Sequence, residues 1–185
     1  MQTWQILAIC AAILVIAAIG WYVYEQSRSR HLRNRFGTEY DRAVTDIGDR
    51  RRAESELARR ENRVNKLRIR ALSMEDRMRF TDRWRLVQAQ FVDDPAGAVT
   101  EAERLVSEIM GARGYASDTL DERLADVSAA YPDHAADYRE AHAIVRRHFD
   151  DDGVPTEELR HAFVRYRALF GELLGGQDEE LKRAS

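Results

Sequence analysis

Few residues of this 185-residue chain are spaced for chemistry. Glu158 and His161 form a Glu-x-x-His step, the spacing with which di-iron carboxylate bundles put two ligands on one helix face. Such a site draws further ligands from other helices, and no second Glu-x-x-His occurs. The pair reads as a polar face beside an apolar stripe. His142 lies between Tyr138 and Val145 at buried-looking spacing. Imidazole changes charge near neutrality, which suits a base or a proton sensor; a hydrogen-bonded core histidine is the simpler expectation. Asp93-Asp94 and Asp150-Asp151-Asp152-Gly153 lack the alternating oxygens and closing glutamate of a calcium loop. They read as caps and turns. No G-x-x-x-x-G-K-[ST], G-x-G-x-x-G, G-x-S-x-G or H-E-x-x-H occurs. The single cysteine, Cys10, excludes disulfides within the chain and thiolate metal sites. No catalytic residue, cofactor or metal site is assigned, and the expectation is a non-enzyme.

The element that positions everything else is the stretch Ile6 to Val23, which holds only Ile, Leu, Val, Ala, Cys, Gly, Trp and Tyr. As a helix it would reach roughly 27 Å, against a hydrocarbon core of about 30 Å. Aromatics stand at its ends, Trp4 on one side and Trp21, Tyr22 and Tyr24 on the other, at the interfacial depth that amphipathic rings prefer. A transmembrane anchor over residues 1–24 is expected. A cleaved signal peptide fits less well, despite the small-x-small triplet Ala18-Ile19-Gly20: no Lys or Arg precedes the run, and the run is longer than an h-region. Ile9 before Cys10 argues against a lipoprotein. Ala8 and Ala12 form a small-xxx-small pair of the kind that seats a second helix, though alanine is common here.

The flanks set direction. After the run come Arg28, Arg30, Arg33 and Arg35, opposed by Glu25 alone, and cationic flanks stay cytoplasmic. The expected topology is N-terminus out with the remaining chain in the cytoplasm. Charge is divided along the chain. Residues 25–90 hold 18 Lys and Arg against 11 Asp and Glu; residues 91–185 hold 11 against 21. A basic half beside a bilayer suits anionic lipid headgroups at about 1 kcal/mol per cation near the surface. The arginines alternate with acids and lack interleaved aromatics, so nucleic acid is not an expected partner.

With three prolines and ten glycines, long helices are expected and no period-2 run marks a strand. Residues 25–37 read as a basic juxtamembrane linker and residues 38–72 as one charged helical stalk, polar nearly all round. Residues 73–175 read as a compact bundle of about five helices. Ser73 and Asp94-Pro95 offer starts, and Gly111 and Gly114 offer stops. Ser117 or Asp118 offers a further cap, Pro132 a restart and Thr156 a last start. Faces recur at Phe80, Trp84, Val87, Phe91; at Val99, Ala102, Leu105, Val106, Ile109, Met110; at Tyr138, Ala141, Val145, Phe149; and at Leu159, Phe163, Tyr166, Phe170, Leu173. Residues 176–185 read as a mobile tail.

Arg35-Phe36-Gly37-Thr38-Glu39-Tyr40-Asp41, Phe91-Val92-Asp93-Asp94-Pro95, Arg113-Gly114-Tyr115 and Tyr166-Arg167-Ala168-Leu169-Phe170 resemble an uncharacterised bacterial family whose members carry a hydrophobic N-terminal segment, a charged helix and a compact helical region. The resemblance implies that architecture and no activity. The expected function is a scaffold or adaptor in the bacterial inner membrane that docks a protein partner. The alternatives are an accessory subunit of a membrane or envelope complex and an enzyme without a recognisable motif.

Overall fold

The computed structural model describes residues 3–115, 117, 119–150 and 154–176. Within the first helix, the side chains of residues 3–12, 18 and 24 are outside the description. The chain is all-α. The described residues form eight helices: α1 Thr3–Phe36, α2 Thr38–Ile47, α3 Arg50–Lys66, α4 Met74–Gln90, α5 Pro95–Arg113, α6 Leu120–Ala130, α7 Pro132–Asp150 and α8 Thr156–Gly171, closed by a π-helical turn, Glu172–Gly176. They divide into two compact units, Met1–Leu57 and Ala58–Ser185, and α3 crosses the boundary.

In the first unit, α1 runs without a break through the segment read as a linker. No glycine or proline interrupts it after Gly20, and Ser29, Leu32 and Phe36 recur on one buried side. Gly37, at φ 51°, turns the chain into α2, whose acidic first turn (Glu39, Asp41) complements the helix dipole. The expected single stalk is two helices. Gly48 takes the left-handed conformation at φ 70° and ends α2, its N–H bonding the Val44 carbonyl. Asp49 restarts the chain by accepting the Arg52 N–H at 2.8 Å. Leu32, Phe36, Tyr40, Ala43, Ala53 and Leu57 are buried.

In the second unit, the caps fall largely where composition placed them. Ser73 accepts the Asp76 N–H at 3.0 Å, and Asp94 accepts the Gly97 N–H at 2.9 Å with Pro95 in the first turn. The α6 cap is Thr119 in a reciprocal capping box with Glu122, in place of Ser117 or Asp118; Ser117 spends its hydroxyl on Asp126 at 2.6 Å. α8 packs against α7 and α5, α4 against α5, and α6 against α7. The α5 face from Val99 to Met110 and the α8 face from Leu159 to Leu173 are buried as the spacing predicts. The Trp84 indole stacks on Phe163 and Phe170 at ring separations of 5.1 and 4.5 Å. Phe91 is half-buried, its ring 4.9 Å from Phe163. Phe149, expected in the core, is 67% exposed.

Among the described residues, no helix is long and apolar enough to cross a membrane. Of the anchor residues read from sequence, the side chains of Trp4, Ile6 and Tyr24 lie outside the described ones. Trp21, Tyr22 and Val23 are exposed, as are Ile13 to Ile16 and Ile19. Residues 177–185, read as a mobile tail, also lie outside the description, as do Asp151, Asp152 and Gly153.

Trp84→Ala is expected to cost about 3–5 kcal/mol through the cavity left beside Phe163 and Phe170, and a thermal melt of the full-length protein would read it. Gly114→Ala is expected to cost more than about 1 kcal/mol. Gly114 stands at φ 100°, and a Cβ there would sit 2.7 Å from the Arg68 carbonyl oxygen. An unchanged melting temperature for either variant would contradict the packing described.

Candidate functional site

The residues singled out for chemistry are not brought together. His161 is an exposed residue 3.6 Å from Glu157, on its own helix, rather than joined to a ligand set. No group of three or more His, Cys, Asp or Glu side chains is placed to hold a metal among the described residues. Asp94 is the α5 cap. His142 is half-buried and its Nδ1 lies 2.8 Å from Glu103 Oε1 on α5. Tyr138 and Tyr166, buried nearby with rings edge-on at 5.9 Å, complete a polar seam inside the apolar stripe. Burial raises both phenols above their ordinary range, so they stay neutral at any physiological pH. The seam couples α5, α7 and α8.

A recess of the second unit lies where the later half of α4, the start of α5 and the end of α7 meet. It encloses about 520 Å³ and is lined by Leu86, Val87, Gln90, Gly97, His148 and Phe149, among others. Leu86 is 71% exposed and Phe149 67%. The polar wall is already paired. Arg83 reaches Glu101 at 3.3 Å and also Glu108, and Arg104 grips both carboxylates. The Arg104 guanidinium beside Glu101 holds its carboxyl below the usual range, with Arg83 acting in the same sense. Gln90 donates to Asp94 at 3.1 Å across the floor. The site is therefore apolar at its lip and electrically satisfied at its wall. The exception is His148 Nδ1, shielded from solvent without a hydrogen-bond partner among the described residues. Sequence reading missed this groove because Phe149 continues the α7 stripe and was assigned to the core.

The basic residues read from sequence belong to the first unit. Arg28, Arg30, Arg33 and Arg35 are all exposed along the last turns of α1. Arg33 pairs with Asp41 at 3.3 Å and lies over the Tyr40 ring. Beneath them is a cluster the sequence did not announce. Glu54, on α3, is buried and takes donors from all three helices: Ser29 of α1, Tyr40 of α2 at 2.7 Å and Arg50 of its own helix at 2.9 Å. Arg50 also donates to Ser29 at 2.6 Å. Burial pushes the Glu54 carboxyl up, but these donors outweigh it and leave the group below its ordinary value of 4.5. Tyr40 is raised, first by burial and then by its bond to the carboxylate. The cluster ties the helices together and holds an ionised carboxylate in place. A signal existed in the positions 29, 40 and 54, but they are separated by turns whose geometry is not local.

No family model, no curated protein and no solved structure matches this chain.

A group whose folded value lies below its unfolded one contributes stability in full above the unfolded value and loses it as pH falls through the folded value. Protection of the α2 amides from hydrogen exchange, corrected for intrinsic rates, is therefore expected to be full above about pH 4.5 and to fall on further acidification. Glu54→Ala is expected to lower α2 protection at pH 7 by the equivalent of roughly 2–4 kcal/mol. Equal protection in variant and parent would show that the cluster does not hold the hairpin.

Proposed function

We propose that this chain is a single-pass, membrane-anchored helical docking protein without enzymatic activity, whose distal helical unit receives an amphipathic helix of a protein partner. The observation that carries the docking part is the groove lip: Leu86 and Phe149 stand out of the fold beside a recess whose charges are already paired. Monomeric folds rarely leave clustered large apolar side chains without an occupant. The apolar lip suits the hydrophobic face of a helix laid in a groove.

The anchor part rests on the Ile6–Val23 run and on the basic flank. The cationic flank favours the N-out, C-in topology in a bacterial inner membrane. Ile13 to Ile16, Ile19 and Val23 are all exposed, so no other described part of the chain covers them. Membership of an uncharacterised bacterial family of anchored helical proteins is part of the same reading. The uncovered α1 side chains also favour a second reading, an accessory subunit held in a membrane complex through the anchor itself. An enzyme is disfavoured because the Glu103–His142 pair does not line the groove.

A photo-cross-linker placed at Leu86 in the full-length protein, in intact cells, is expected to give one discrete adduct. The Phe149→Asp variant should lose it while melting within about 0.5 kcal/mol of the parent. A cross-linker at exposed Val164 on α8 should give no such adduct. Adducts at Val164 but not Leu86 would overturn the groove assignment. A Leu86 adduct that vanishes on deletion of residues 1–24 would favour the accessory-subunit reading.

A further inference from the structure

The first unit holds a cation, Arg30, that the folding of the unit does not use. A cleft of about 350 Å³ between α1, α2 and the start of α3 is lined by Arg30, Arg33 and Arg50, by Ser29 and Tyr40, and by one carboxylate, Asp41. That size falls within the range of small-ligand sites, roughly 300–1,000 Å³. Arg33 is matched by Asp41 in an exposed pair, and Arg50 by the buried Glu54. Arg30 has no acceptor among the described residues. Of the three guanidinium groups in the walls, Asp41 and the buried Glu54 compensate two, and Arg30 is left as the cleft's uncompensated cation. Guanidinium presents a planar fork of N–H donors that matches phosphate oxygens, whereas the hydroxyls of Ser29 and Tyr40 already donate to Glu54.

The position of the cleft narrows the ligand. Because α1 is continuous, Arg30 and Arg33 stand seven and ten residues beyond Val23, about 10 and 15 Å along the axis. Helical side chains lean toward the N-terminus, here toward the apolar run, and arginine extends its head along that direction. The headgroup layer occupies about 5–8 Å beyond the hydrocarbon on each side. The Arg30 guanidinium is thus carried back to phosphate depth. Arg28 and Arg35, though equally basic, do not line this cleft. We propose that the cleft binds the phosphate of an anionic lipid headgroup, an assignment that rests on the membrane-anchored reading above.

The test uses the full-length protein reconstituted into phosphatidylcholine vesicles containing phosphatidic acid, with flotation in high salt as a separate readout. Lipid retained on the protein after extraction is then counted by mass spectrometry. The expected result is flotation of every variant, enrichment of phosphatidic acid on the parent, a several-fold loss of that enrichment in Arg30→Gln, and no loss in Arg28→Gln. Arg30 is exposed and has no hydrogen-bond or ion-pair partner among the described residues, so Arg30→Gln is expected to fold as the parent does, which its melting temperature checks. Flotation without enrichment, or enrichment unchanged in Arg30→Gln, overturns the lipid site and leaves the anchor standing. Failure to float overturns both. In that case titration with inorganic phosphate shows whether the cleft takes the free anion, through saturable binding lost in Arg30→Gln, or no phosphate at all.

Discussion

The distal unit is arranged around the burial of one guanidinium. Arg113, at the end of α5, has no solvent exposure, and a charge in that position is tolerable only with dedicated acceptors. It donates to the Leu173 carbonyl at 2.7 Å. That carbonyl belongs to the π-helical turn after α8, where wider winding changes which carbonyls the backbone ladder uses. The next residue, Gly114, bends left-handed so that the Arg68 carbonyl can come close, and the Arg70 N–H then bonds the Arg113 carbonyl at 2.9 Å. One residue thereby ties the end of α5, the end of α8 and the segment after α3. Tyr115 and Tyr131, with hydroxyls 3.4 Å apart, close the same region.

The first unit solves a related problem with the opposite sign. α2 has only 10 residues and the unit carries few apolar residues after Phe36, so packing alone gives α2 little reason to stay. The buried carboxylate of Glu54 supplies the missing specificity by demanding donors from three helices at once. Arg63 plays a similar part on the other side of the boundary, joining α3 to Glu122 and Asp126 of α6 at 3.2 Å each. In both units the apolar stripes bring helices together and a buried charge selects the register.

Periodicity made much of the fold legible. The α5 and α8 faces follow from spacing alone because both helices are covered along their full length. Phe149 shows where the argument stops. Spacing tells which side of α7 faces inward, but not that the neighbouring helices leave an open recess at its end, where Phe149 is exposed. The residues read as a basic linker over 25–37 continue α1 to Phe36, and Ser29, Leu32, Phe36 and Tyr40 recurring at helical steps are the signal for it within a densely charged stretch. Gly48-Asp49 is a readable stop and start inside a uniformly charged stretch. The Glu54 cluster and the groove were illegible in principle, since each is assembled from residues on three helices.

The unbroken course of α1 carries a mechanical consequence. A helix advances about 100° per residue, so the azimuths of the described side chains of the apolar run, such as Ile13, Ile16 and Ile19, are locked to those of Ser29, Leu32 and Phe36 in the hairpin. No swivel separates them; the first left-handed glycine, Gly37, comes after the last of those contacts. Adding or removing one residue near Glu25 would leave composition and hydropathy almost unchanged while rotating the whole upstream surface by more than a quarter turn. The two surfaces are phased like teeth on a single shaft, and a rotation imposed on one end is delivered to the other undiminished.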